Sequence, residues 1–323
     1  MTEATTSTAA AKGPKVNRAR ALRLGALATA GNMEALCKEL RAIEDGGDPD
    51  RGNTWEYWAR RVRSWLESGL TKEAPFSIFT ASGNSKLPFY AFSSLAGFDC
   101  PGAGACLFGN EDREEKDFLK GWCYSFTAWR YPAAFFRQLQ NSVLLRFGNL
   151  AIVEAFKAIP QGKTVRLYVD GDFHDLEGLR FWMDLVKARP DLDVYGYSKS
   201  WQLFLALDGQ GYAWPENYSL NLSSGSRYGP TVRSRMENLA CVRGEFVAVP
   251  VNRKWIDSKA YQDKGNEGSK DYRAEVLDRL RDAYEGRKVF ACPGNCGNCL
   301  PGGKHACGSD KLQGVVIGIG IHG

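Results

Sequence analysis

No apolar run in this sequence of 323 residues approaches the roughly 20 residues that a membrane-crossing helix needs, which excludes a helical membrane protein. The opening stretch, Met1 to Gly13, is rich in Thr and Ala but has no apolar core. That excludes a secretory signal and reads as a disordered tail. No Gly-rich phosphate fingerprint follows the first strand, which argues against a dinucleotide-binding, doubly wound sheet. No internal repeat is visible, and no low-complexity segment beyond the tail. What remains is ordinary for a soluble globular protein: 44% hydrophobic and 24% charged residues. The net charge of +5, with a pI near 8.6, is a mild basic bias compatible with nucleic acid. The length suits one large α/β domain with a small appendage.

Cysteine is the unusual component, with nine residues. The chain reads as intracellular and cytoplasmic. In a reducing compartment metal ligation is favoured over disulfides. Cys292, Cys296, Cys299 and Cys307 cluster tightly, Cys100, Cys106 and Cys123 more loosely. Cys37 and Cys241 stand alone and read as small buried hydrophobes.

Along the chain, residues 15–41 read as a basic helix, with Arg18, Arg20 and Arg23 early in it. Residues 54–70 read as a second, amphipathic one carrying Arg60, Arg61 and Arg63. Such a subdomain, 15–72, either packs with a solvated face or rests on phosphates. From Phe76 the texture changes to strand-then-loop units. Strands are expected at 76–80, 90–92, 165–169, 194–197, 218–222, 246–249 and 289–291. Helices are expected at 124–147, 150–158, 176–187, 201–207 and 271–284. This alternation implies parallel strands with crossover helices. The informative polar residues, among them Ser82, Asn84, Lys199, Ser223 and Asn252, fall just after strands. That placement favours a (β/α) barrel, complete or irregular, over residues 73–323.

The stretch from Val165 to Phe173 delivers two carboxylates, Asp170 and Asp172, around Gly171 at a strand end. It is either an Asp-Gly turn or a catalytic pair. One acid could stay ionised as nucleophile or base while the other carries a raised pKa and moves protons. Attack at an anomeric carbon or magnesium-assisted phosphodiester hydrolysis would each use such a pair. Asp175 and Glu177 fit the N-terminal dipole of the next helix. Nearby, Tyr195, Tyr197 and Trp201 suit stacking and Lys199 suits a phosphate or carbonyl. The loop of Ser223, Ser224, Gly225 and Ser226 suits hydrogen bonding to a ligand. Arg227, Arg233 and Arg235 either contact nucleic-acid phosphates or form a solvated basic face.

Cys292, Cys296 and Cys299, with Cys307 or His305 as fourth ligand, have spacing that lets thiolates fold around one ion. Zinc is expected, with an iron–sulfur cluster as the alternative. Cys100, Cys106 and Cys123 are a possible second metal site. Three thiolates leave a position open for substrate.

The Asp-Gly-Asp-Phe strand end, the Tyr-Gly-Tyr-Ser-Lys-Ser strand, the Cys-Pro-Gly-Ala at Cys100 and the terminal cysteines together resemble the phage gene product 88-like family. The resemblance runs from Phe76 onward. More distantly the chain resembles the guanine transglycosylases, specifically the phage DpdA-type enzymes that act on DNA. That resemblance implies a (β/α) barrel, a nucleophilic aspartate (Asp170 or Asp172), and a zinc held by Cys292, Cys296, Cys299 and His305 or Cys307. It also implies DNA and a 7-deazaguanine base such as preQ0 as partners, with exchange of guanine protecting phage DNA from restriction. The cysteine spacing departs from that family's pattern, and the histidine follows sooner.

Overall fold

The computed structural model describes residues 18–81, 88–108, 121–251, 270–294, 296 and 306–320. Ser82, Asn84, Asn252, Cys299 and His305 therefore lie outside the described residues. Three helices come first: α1 (Arg18–Thr29), α2 (Met33–Glu44) and α3 (Trp55–Glu67). The single helix expected over 15–41 is two, because Gly31 takes a left-handed backbone and Asn32 caps α2 by accepting the N–H of Ala35 at 3.1 Å. Thr54 caps α3 in the same way, through Tyr57 at 3.2 Å. The arginines here are engaged locally: Arg63 with Glu44 and Glu67, Arg60 with Asp50, Arg23 with Glu39.

A parallel sheet follows. Its strands are β1 (Tyr90–Ala91), β2 (Thr164–Leu167), β3 (Asp193–Ser198), β4 (Tyr218–Ser223), β5 (Val242–Val249), β6 (Val289–Ala291) and β7 (Val316–Gly320). The order is β1-β2-β3-β4-β5-β7-β6, every neighbour parallel. Among the described residues no ladder joins β6 back to β1. The expectation of a barrel thus reduces to an α/β fold on one parallel sheet. Phe76 to Thr80, expected as a strand, contributes only an isolated antiparallel bridge from Thr80 to Ala91.

Between strands lie α4 (Ala105–Phe108), α5 (Ser125–Ala128), α6 (Pro132–Phe147), α7 (Asn149–Lys157), α8 (Leu176–Lys187), α9 (Trp201–Asp208), α10 (Pro230–Glu237) and α11 (Lys270–Ala283). The helix expected over 124–147 is interrupted where Pro132, lacking an N–H, opens α6 at its first turn. In α8, Asp175 accepts the N–H of Gly178 at 2.7 Å, and Leu179, Trp182, Met183 and Val186 bury one face against the sheet's core. Each such side chain stabilises the fold by about 1.5–3 kcal/mol on leaving water. Trp55 of α3 packs its ring 5.0 Å from both Phe135 and Phe136 of α6. The N-terminal helices and the sheet layer therefore share one core. No helix among the described residues is long and apolar enough to cross a membrane.

Candidate active-site cavity

Strand β2 stops two residues before the sequence pattern does. Tyr168 adopts φ +57, a left-handed conformation that costs a bulky residue of order 1 kcal/mol or more. Burial over-determines it: the Tyr168 ring packs edge-on against Phe92 and Phe173, and its hydroxyl accepts Trp182 Nε1–H at 2.9 Å. Gly171 follows with φ +80, where a Cβ would fall 2.1 Å from Ser94 Oγ. Only glycine lets the chain turn here against the Ser94 segment, whose N–H bonds Asp170 O at 3.0 Å.

The turn directs both carboxylates into one cavity of about 340 Å³ at the C-terminal ends of the strands. Asp172 is buried. Its Oδ1 accepts the Phe173 N–H at 2.8 Å and the Ser198 hydroxyl at 2.7 Å, while Oδ2 accepts the Lys199 N–H at 2.7 Å. Burial pushes its carboxyl up, opposed by the Lys199 amide, the Ser198 hydroxyl and the Lys199 charge. Burial likewise raises Asp170, opposed by hydrogen bonds from Ser125, Ser93 and Gln138 and by the charge of Arg166.

Strand alternation builds the walls. Arg166 and Tyr168 come from β2 and its end, Tyr195, Tyr197 and Lys199 from β3 and its end, Phe246 and Ala248 from β5, Ile317 and Ile319 from β7. Lys199 Nζ donates to Ser223 Oγ at 2.7 Å, joining the ends of β3 and β4. Burial works against the Lys199 charge, but Cys106, Asp172, Cys123 and Cys100 outweigh it and hold the ammonium above its ordinary range.

Both cysteine groups face this cavity. Cys100, Cys106 and Cys123 line it on one side, Cys292, Cys296 and Cys307 on another. The segment between Cys100 and Cys106 is stitched to the loop after β4: Gly104 N–H to Gly225 O at 2.9 Å, Arg227 N–H to Gly102 O at 2.9 Å, and the Ser226 hydroxyl to Gly102 O at 3.3 Å. Burial, then Asp172, Cys123 and Cys106, push the Cys100 thiol up. Cys106 is also raised by burial, with Lys199 acting against it. Cys307 is fixed by its carbonyl, which accepts Asn221 Nδ2–H at 2.7 Å. Arg243 in turn holds Asn221 Oδ1 at 2.7 Å.

Among the described residues no group of three or more His, Cys, Asp and Glu side chains is drawn together into a finished ion site. Cys100, Cys106 and Cys123, all described, are therefore not drawn together as a ligand set, whereas the expected C-terminal group is only partly described, Cys299 and His305 lying outside the described residues. In donor type alone Cys100, Cys106 and Cys123 suit a thiolate-bound metal, which would have to draw them together. No disulfide joins any of the described cysteines, and a buried ammonium stands ready to offset thiolate charge.

Other expected ligand contacts are placed differently. Ser224 turns to the sheet, its Oγ accepting the Ala248 N–H at 2.8 Å. Trp201 packs at the mouth of α9, its Nε1–H donated to Ser198 O at 2.8 Å. Arg233 lies 3.6 Å from the buried Glu245, which also pairs with Arg287, so it serves the fold. Arg227 and Arg235 are exposed. The sequence reading missed Arg166 and Tyr124, which line the cavity. Arg166 sits in an apolar strand pattern with no local signal, and Tyr124 lies beside Cys123, which could have flagged it.

Neither the curated proteins nor the solved structures compared with the chain gave a match. A family model described as gene product 88 matches residues 65–310, which takes in the whole cavity apart from the last strand. With the aspartate turn, the lysine of β3 and both cysteine groups inside the matched span, the chain belongs to the gene product 88 family.

Proposed function

We propose that the chain is an iron–sulfur enzyme acting on a small molecule in this cavity. One observation carries the reading. Cys100, Cys106 and Cys123, distant in sequence from β3, line the same cavity as Lys199 and lie within coulombic reach of it, Cys100 and Cys106 also of Asp172. These three cysteines would hold the cluster, and three protein ligands leave one coordination position open. When bound, such a cluster supplies redox chemistry and a Lewis-acidic iron at the cavity wall. Cys292, Cys296 and Cys307, with Cys299, would hold a second metal, zinc or another cluster. Lys199 offsets the thiolate charge, Ser223 fixes its ammonium, and Asp172 fixes its backbone. Tyr197 and Phe246, with ring centroids 4.8 Å apart, give the cavity an aromatic wall. Strands β2 to β7 all contribute to one cavity, which we read as a barrel left incomplete in a reducing host cytoplasm.

Anaerobic purification followed by iron and acid-labile sulfide analysis tests this. The protein should be brown. Cys100→Ser, Cys106→Ser and Cys123→Ser should each lose the iron, and Cys37→Ser and Cys241→Ser should keep it. A colourless protein that holds zinc alone, even after reconstitution with iron and sulfide, would overturn the reading.

Aspartyl transfer is the second reading, favoured by two carboxylates on a ring-walled cavity. Both acids are engaged by three donors each, so either Asp170 or Asp172 would be the attacking acid. The reaction would be guanine exchange for a 7-deazaguanine in DNA, with the exposed Arg227 and Arg235 near phosphates. Incubation with duplex DNA, labelled guanine and preQ0 decides it: exchange that Asp170→Asn or Asp172→Asn abolishes would support it.

A further inference from the structure

Among the described residues no carboxylate is among the groups that face Arg166 most strongly. Its guanidinium lies over the Tyr197 ring, 4.6 Å from the centroid, and hydrogen-bonds the Tyr124 hydroxyl. Its Nε is buried with no hydrogen-bond partner. The groups that face it most strongly are Tyr197, Tyr124, Tyr195 and Cys296. Phenols are neutral at neutral pH, and burial pushes the Tyr195 and Tyr197 phenols further from ionisation. Asp170 is also within reach, but Ser125, Ser93 and Gln138 already hold its carboxylate.

A guanidinium kept in low-dielectric surroundings with an open donor edge is costly for folding alone. Residues that serve only packing do not need that charge. The planar fork of arginine matches two oxygens of one carboxylate or phosphate, and Nε is one prong of that fork. Around it, Tyr197, Phe246 and Phe290 line the cavity with ring faces and edges. Lys199 does not compete for the role, because its ammonium is committed to Ser223 and faces the thiols.

We propose that Arg166 receives an oxyanion, a carboxylate or phosphate monoester, of a ring-bearing small molecule that fills the cavity. The volume of about 340 Å³ is at the small end for ligand sites. It admits one such molecule and not a duplex. The proposal does not rest on a cluster at Cys100, Cys106 and Cys123: it needs the cavity and the open Nε edge of Arg166.

The test uses full-length protein as purified anaerobically and two matched pairs of probes, benzoate with benzamide and phenyl phosphate with benzyl alcohol. Binding is followed by ligand-observed NMR titration. At least one anion should bind tenfold or more tightly than its neutral twin, and which one does so separates a carboxylate from a phosphate ligand. Arg166→Gln should erase that preference. Arg166→Lys, which keeps the charge without the fork and serves if the glutamine variant fails to fold, should weaken the anion several-fold and leave the neutral twin unchanged. The proposal is overturned if the twins bind equally, if neither anion binds at millimolar concentration, or if the preference survives both substitutions. A loss of metal with unchanged anion preference would make Arg166 a counter-ion of the Cys296 group instead.

Discussion

Asp172 Oδ2 accepts the backbone N–H of Lys199 at 2.7 Å, so the turn after β2 is tied to the end of β3 at the point where the cavity opens. The same carboxylate takes Ser198 Oγ and the Phe173 N–H. It positions Lys199 rather than standing free.

Removing that carboxylate leaves three donors without their acceptor. Asp172→Ala should cost about 3 kcal/mol, and Asp172→Asn, which restores one acceptor oxygen, clearly less. Urea unfolding of the three proteins measures this. Equal stability of the alanine variant and the parent would mean that water replaces the carboxylate.

Gly171→Ala places a methyl group 2.1 Å from Ser94 Oγ at φ +80. The backbone conformation alone costs about 1 kcal/mol, and the collision adds to it. A lowered thermal midpoint, with weaker ligand binding than the parent, is the expected result. Thermal melts beside a binding titration check it.

His174 is pressed beside Asp175, with Nε2 3.3 Å from its carboxylate. Burial and Arg146 lower its pKa, opposed by Asp99 and Asp175. The folded protein thus takes up this proton less readily than the unfolded chain, whose value lies near 6.5. Stability contributed by neutral His174 is complete above that value and is lost as pH falls through it. Urea midpoints between about pH 7.5 and pH 5 should fall more steeply for the parent than for His174→Gln; parallel slopes would assign the acid sensitivity elsewhere.

Arg243 is buried and donates to Asn221 Oδ1 and to the carbonyls of Leu312, Val315 and Glu245. Asn221 passes that order on to Cys307. Asn221→Leu should destabilise by about 2 kcal/mol and reduce metal retained by the C-terminal cysteines, with the Cys100 group unaffected. Metal content of this variant in a Cys100→Ser background isolates the C-terminal site.

Much of this fold was legible. Helix α8 runs over the residues that its apolar period marks, because Asp175 and the buried stripe agree. Strand β7 was not. Its Ile-Gly-Ile-Gly pattern looks poor for a strand, yet Leu280 and Tyr272 of α11 occupy the space where Cβ atoms on Gly318 and Gly320 would sit, 2.6 and 2.3 Å away. Tertiary packing chose those glycines, and no local pattern announces that. The aspartate turn, Lys199 and Ser223 were readable as strand-end polar residues. Arg166 was hidden because alternation shows two faces of a strand but not which one looks into a cavity. Ser224 was misread for the same reason, one residue out of phase with Ser223.

The order β5-β7-β6 has a consequence for synthesis. Among the described residues β6 pairs only with β7, which comes later in the chain. While the polypeptide is being made, β6 and the adjoining Cys292 and Cys296 have no seat in the sheet until residues 316–320 have been added and slotted against β5. The wall of the cavity that carries Cys292 and Cys296 thus depends on a strand made after it, whereas Cys100, Cys106 and Cys123 lie in a segment made before β2.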